Sequence, residues 1–215
     1  MSLAFAAAPA VSLPIAGSVE RFPVHRVYCV GRNYAEHVKE MGGEVGRDPP
    51  FFFAKPPDAL VTDNRFPYPS ASSDVHHEVE LVVALGPNAK IFGHAVGLDM
   101  TRRDLQAAAK KLGRPWETAK GFDHSAPIGA IVRHDRALTA GAISLDVNGQ
   151  RRQTGDIAEM IWNIDEIIAE LGKLFELKAG DLIFTGTPSG VAAVQRGDRL
   201  HAQIAGVGPL DVDVV

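Results

Sequence analysis

Apolar side chains recur at every second position in the middle of the chain, where Val79, Leu81, Val83 and Leu85 stand on one side of a stretch running from Val75 to Leu85. Successive side chains of a strand point to opposite faces, so the pattern predicts one apolar face, with Glu78 and Glu80 together on the other. Shorter apolar runs ending at Gly or Pro predict further strands. These are Val27 to Val30 before Gly31, Phe51 to Phe53 before Pro56-Pro57, read as buried, and Leu182 to Phe184 before Thr185-Gly186-Thr187-Pro188. Ile143 to Val147 and Gln150 to Gln153 flank Asn148-Gly149, a pair suited to a type I′ hairpin turn because both central residues need positive φ. The C-terminus reads as two short strands around Gly206-Val207-Gly208.

Helical signals are confined to three places. Asn33 to Met41 is stopped by Gly42-Gly43, an Ala-rich helix after Thr101 ends at Gly113 and Pro115, and Ile164 to Leu177 forms a third. Thr101 with Asp104 three residues on has the spacing of a capping box. Leu3 to Ile15 is apolar, yet no Lys or Arg precedes Arg21, and Pro9 and Pro14 interrupt the run. That argues for a strand or hairpin extension over residues 1–24 rather than a signal-peptide core, ahead of a main domain over residues 25–215. No repeat or linker divides the chain, and no apolar stretch is long enough for a membrane-spanning helix.

Composition narrows the partners. A formal charge of −4, from 22 basic and 26 acidic side chains without a like-charge run, leaves no basic stripe for phosphates, so no nucleic acid is expected. The only cysteine, Cys29, rules out an intrachain disulfide and a multi-cysteine metal site, and fits a reducing cytoplasm.

The chemistry is then sought among the charged residues on predicted apolar elements. Glu78 and Glu80 repel each other, an arrangement that a hard divalent cation relieves, with Asp99 as a third oxygen donor. By itself a Glu-x-Glu pair is more often the wet face of a half-exposed strand. A competing set uses His76 and Glu78 with His94 or His124 as a facial triad for non-haem iron. His37 and Glu40 share a helix face, so the carboxylate can orient the imidazole as a general base; an exposed pair on an amphipathic helix is the plainer reading. Arg103 and Gln106 share another helix face soon after Asp99, where a guanidinium suits a carboxylate ligand. Lys120 is a possible electrostatic partner, and Gly186-Thr187-Pro188-Ser189-Gly190 offers N–H groups and a hydroxyl to an anion.

These features occur in a fixed order, and in that order the chain resembles the fumarylacetoacetate hydrolase family over nearly its whole length. The matching motifs are Tyr28-Cys29-Val30-Gly31-Arg32-Asn33-Tyr34, His76-His77-Glu78-Val79-Glu80-Leu81, Gly97-Leu98-Asp99-Met100-Thr101-Arg102-Arg103-Asp104, Gly113-Arg114-Pro115-Trp116 with Ala119-Lys120, and Gly180-Asp181 through Thr185-Gly186-Thr187-Pro188. The resemblance implies an α+β fold, a mixed β-sandwich roll with short helices, usually a homodimer. It implies that Glu78, Glu80 and Asp99 ligate Mg²⁺ or Mn²⁺, and that Arg103, Gln106, Gly186 and Thr187 contact a small 2-oxo acid. It also implies Lys120 near the reacting atoms and His37 with Glu40 as a catalytic dyad on a lid. Asn33 stands where longer relatives carry a further metal-binding aspartate. The activity implied is cleavage of an acylpyruvate, foremost fumarylpyruvate in gentisate-type aromatic catabolism, with oxaloacetate decarboxylation or 2-oxo-diacid isomerisation as the alternative.

Overall fold

The computed structural model describes residues 3–215; Met1 and Ser2, which begin the expected N-terminal extension, lie outside the described residues. The Val79–Leu85 strand is buried at all seven positions, because it lies inside a six-stranded sheet. Its neighbours are Ile91–Leu98 and Leu182–Phe184, both antiparallel to it; Leu182–Phe184 in turn pairs in parallel with Val27–Gly31. Val132–Arg133 and Phe51–Lys55 form the two edges. The alternation of Val79, Leu81, Val83 and Leu85 is therefore real, but Val82 and Ala84 are equally buried on the reverse face. A sheet covered on both sides replaces the half-exposed strand that the pattern predicts.

The two faces belong to different cores. Val79, Leu81 and Val83 pack with Ile143, Leu145, Leu200 and Val212 of a second, five-stranded sheet, which makes the sandwich. Val82, Ala84, Ala95 and Phe184 pack with Leu13, Ile15 and Phe22 of the N-terminal hairpin Ser12–Pro14 with Arg21–Pro23. Glu80 shares this second face by alternation, at the end of the strand beyond the hairpin. Gly97 pairs opposite Glu80, and a Cβ there would come within 2.6 Å of both Phe184 and Val82, so only glycine fits beside the acid. Asn148 and Gly149 both have positive φ in the predicted hairpin turn, and the C-terminal pair Arg199–Ile204 with Gly208–Val214 is antiparallel. Among the described residues no helix is long and apolar enough to cross a membrane.

Among the described residues four α-helices decorate the sheets: α1 (Ala35–Glu40), α2 (Arg103–Lys111), α3 (Glu117–Lys120) and α4 (Ile164–Leu174). Thr101 does not cap α2. Its hydroxyl instead donates to Glu78 at 3.3 Å and to the Asp99 carbonyl at 3.2 Å, while Asp104 accepts from Ser72 and Ser73. Capping boxes exist elsewhere, at Asp156 with Glu159 and at Asn163 with Glu166. The Phe51–Lys55 strand, read as buried, is an edge, with Phe51 exposed and Phe53 half-buried.

Candidate active site

The predicted strand from Val75 to Leu85 is broken at His77 and Glu78. Val75–His76 turns away to pair with Thr101–Arg102, and the ladder resumes at Val79. Gln153, reaching across from the five-stranded sheet, bridges the break: its Oε1 accepts the Val79 N–H at 3.1 Å and meets His77 Nδ1 at 2.9 Å, while its Nε2 donates to Thr187 and to the Pro188 carbonyl. The Asp99 N–H donates to the Glu78 carbonyl at 2.9 Å. Glu78, Glu80 and Asp99 thus converge, each offering an oxygen within 4.8 Å of the others, all three buried. They come from one strand, the break beside it and the turn after its neighbour, so the cluster is as rigid as the sheet.

Cations surround this cluster unevenly. Lys120 Nζ, on α3, donates to Glu78 at 2.8 Å and to Asp99 at 2.6 Å, and Arg103 donates to Glu78 at 2.6 Å and to Gln106 at 2.7 Å. Lys55 Nζ lies 2.9 Å from Asp99 Oδ1 and donates to the carbonyls of Lys120, Ser125 and Met100. Sequence reasoning missed Lys55, which follows a phenylalanine run and carries no motif; its signal was a lone charge on a strand interior. Burial disfavours the charged form of Glu78, yet Lys120 and Arg103 overcome that and hold its carboxyl well below the usual range. Glu80 goes the other way: burial, then the neighbouring Asp99 and Glu78 charges, push it well up, against Lys120 and the Gly186 N–H that it accepts at 2.8 Å. Lys120 is raised, because Asp99 and Glu78 outweigh its burial.

These features fit a divalent cation. Among the described residues Glu80 has no ion-pair partner, and Asp99 Oδ1, though ion-paired with Lys55, makes no hydrogen bond of good geometry. A set of three converging carboxylates, one of which no side-chain cation neutralises, suits a hard ion such as Mg²⁺ or Mn²⁺. The facial triad does not assemble: His76 Nε2 is taken by Asp74 at 2.9 Å, and His94 is buried with both ring nitrogens unpaired beside His134. Asn33 faces away from the cluster in its bonding. It donates to the Thr185 and Trp162 carbonyls and accepts the Trp162 N–H, tying the base of α1 to the 161–162 turn.

The carboxylates floor a cleft enclosing about 440 Å³, part of it open to solvent, into which His37, Arg103, Gln106, Lys120, Gly186 and Thr187 also face. His37 Nδ1 lies 3.1 Å from Glu40 Oε2, and Glu40 Oε1 accepts the Gly190 N–H at 2.9 Å, so the carboxylate orients the imidazole from behind. Thr187 is already committed, its hydroxyl donating to the Val79 carbonyl at 2.8 Å and accepting from Gln153. One wall is aromatic: Phe53 and Trp116, with ring centroids 6.1 Å apart, both line the cleft.

The chain belongs to the fumarylacetoacetate hydrolase family, matching its C-terminal domain over residues 26–215. It is 48% identical to a fumarylpyruvate hydrolase from Pseudomonas aeruginosa, solved in complex with Mn²⁺ and pyruvate. The TM-score is 0.96, over 100% of this chain and 99% of that one. It is 42% identical to the oxaloacetate tautomerase YcgM of Escherichia coli over 88% of this chain and 93% of that protein. To a fumarylpyruvate hydrolase of a Ralstonia species it is 41% identical, over 76% and 92% of the two chains. The fold is thus the mixed-sheet type of the family's C-terminal domain, and the protein is an enzyme of that family.

Proposed function

We propose that the protein hydrolyses a carbon–carbon bond of an acylpyruvate, foremost fumarylpyruvate to fumarate and pyruvate in gentisate-type aromatic catabolism. In this reading Glu78, Glu80 and Asp99 hold Mg²⁺ or Mn²⁺, and the protein works as a cytoplasmic homodimer. The carrying observation is the His37–Glu40 pair lining a cleft floored by three buried carboxylates, with a hydrolase of this type among the most similar proteins. A bound divalent cation supplies Lewis-acid polarisation of the substrate's carboxylate and 2-oxo oxygens. Arg103, buttressed by Gln106, binds the substrate carboxylate. With Nδ1 engaged by Glu40, His37 takes a proton at Nε2 from a water that attacks the 4-carbonyl. The bond between the third and fourth carbons breaks, its electron pair passing to the pyruvate enolate, and the Lys120 ammonium stabilises that charge until the third carbon is reprotonated.

A second reading is favoured by the Escherichia coli relative, an oxaloacetate tautomerase: the same cleft would move a proton between carbon and oxygen of a 2-oxo diacid, or decarboxylate it, with no attacking water. Product analysis with fumarylpyruvate, acetylpyruvate and oxaloacetate separates the readings. Pyruvate released from an acylpyruvate is expected; turnover of oxaloacetate alone would sink the hydrolase. Sedimentation at the mass of one chain would remove the dimer.

A further inference from the structure

Helix α2 carries more cleft residues than the proposed reaction uses. Arg103, Gln106 and Lys110 follow at intervals of three and four, so they share one helix face, and all three line the cleft. The inner two are enclosed, the Arg103 side chain being 12% exposed and Gln106 buried, whereas Lys110 is exposed. The cleft therefore runs beside the helix, from the carboxylate floor to the solvent. At its outer end Arg32 lines it too, held at φ 60, a left-handed conformation that is costly for a residue with a Cβ. Among the described residues neither Arg32 nor Lys110 has an ion-pair partner, and each repels the other's charge. The aromatic wall spans the same interval: Lys120 Nζ stands 5.3 Å from the Phe53 ring at the floor, and Lys110 Nζ stands 5.1 Å from the Trp116 ring at the mouth.

We infer that Lys110 and Arg32 bind the distal carboxylate of a long 2-oxo diacid whose first carboxylate lies at Arg103, so that α2 measures the length of the substrate. Seven residues of helix advance about 10 Å. An extended seven-carbon diacid places its carboxyl carbons roughly 7 to 8 Å apart, six zigzag carbon–carbon bonds advancing about 1.25 Å each, which with flexible side chains reaches cations at both ends of that face. A four-carbon diacid spans only about half of that and engages one end at a time. A flat unsaturated chain between the two carboxylates lies against Phe53 and Trp116. The inference rests on the 2-oxo acid reading of the floor and adds to it the recognition of the other end.

The test is binding, measured by calorimetry on Mn²⁺-loaded protein, with 2-oxoheptanedioate and 2-oxoheptanoate as probes. They match in length, differ in the second carboxylate, and lack the 4-oxo group needed for hydrolysis. The wild type should prefer the diacid by about tenfold to a hundredfold, the usual worth of a charge-assisted contact. Lys110→Met, and more weakly Arg32→Asn, which tolerates positive φ, should collapse that preference toward unity, and Lys110→Arg should keep it. Equal affinity for both probes in the wild type, or a preference that survives the Lys110→Met, Arg32→Asn double variant, overturns the inference while leaving the floor assignment in place. Failure of both probes to bind overturns the 2-oxo acid reading itself, and the length gauge with it.

Discussion

The floor of the cleft and the helix above it are built on opposite principles. Glu78, Glu80, Asp99, Lys55 and Lys120 are held by sheet ladders and by one another, all of them buried. Helix α1 has six residues and no side-chain cap at its N-terminus, and is held at its base by Asn33 and the Tyr34–Met160 bridge and at its end by Glu40 on the Gly190 N–H. A short helix with few fixed contacts opens at low cost, whereas a buried network of charges does not rearrange piecemeal. In the proposed reading, chemistry that needs fixed ligands lies on the first and water control on the second.

Removing the cation should have the largest effect. Chelator-stripped protein should lose activity by more than about a thousandfold, the scale of several kcal/mol of Lewis-acid stabilisation, and regain it with Mg²⁺ or Mn²⁺. Mn²⁺ should raise the melting temperature of the wild type and not of Glu80→Gln, whose metal-free fold should be no less stable because a repelling charge is gone. Full activity in verified metal-free protein would refute the floor assignment.

On the helix side, His37→Ala should cut kcat for acylpyruvate hydrolysis by roughly 10² to 10⁴. Oxaloacetate conversion, which needs no water, should fall less. Equal losses would make His37 a closure or binding residue. Back on the floor, Lys55→Met should destabilise the protein by about 3 to 5 kcal/mol in urea titrations, since it removes the buried cation beside Asp99 Oδ1 and one donor from each of three buried carbonyls. A change within experimental error would mean that the network is not mutually dependent.

A buried histidine away from the cleft calibrates what uncompensated burial does. His94 has no acid partner, and its pKa is lowered to about 4, first by burial and then by His134. A folded pKa below the unfolded 6.5 means that the unfolded state binds protons first as pH falls. Stability should be complete above pH 6.5 and decline by about 3 kcal/mol down to pH 4, and His94→Leu should flatten that slope. Superimposable wild-type and mutant slopes would contradict this. The smallest effect expected is in hydrogen exchange: binding of oxalate should slow α1 amides by about tenfold and leave the Val79–Leu85 amides as they were. Identical exchange over α1 at saturation would remove the proposed lid.

Part of the floor was legible in the sequence. The alternation around Leu81 gave the strand from Val79 on, whereas a Glu-x-Glu pair by itself reads as a wet strand face, and it was the order of the motifs that singled out Glu78 and Glu80 with Asp99. What lay beyond reach depended on partners distant in sequence. Gln153 bridges the break at His77 from another sheet, a relation between residues 76 apart that no local pattern carries. Thr101 and Asp104 matched a capping box in spacing alone, but Glu78 and Ser72 offered them better partners. Asn33 sat at the expected metal-side position, yet three backbone groups of other segments claim its amide. Phe51 to Phe53 read as buried because apolar runs usually are, and an edge strand lining a cleft is the exception.

The Gly190 N–H that donates to Glu40 also limits redesign. Gly190 has φ +98, and a Cβ there would come within 2.0 Å of the Arg152 carbonyl, so any replacement moves the backbone that carries this donor. A library that diversifies α1 to admit new substrates would therefore shift the catch along with the helix if position 190 were varied as well. Libraries that hold Gly190, Glu40 and Asn33 constant and vary Met41, which lines the cleft, would search substrate preference while every member still latches at both ends.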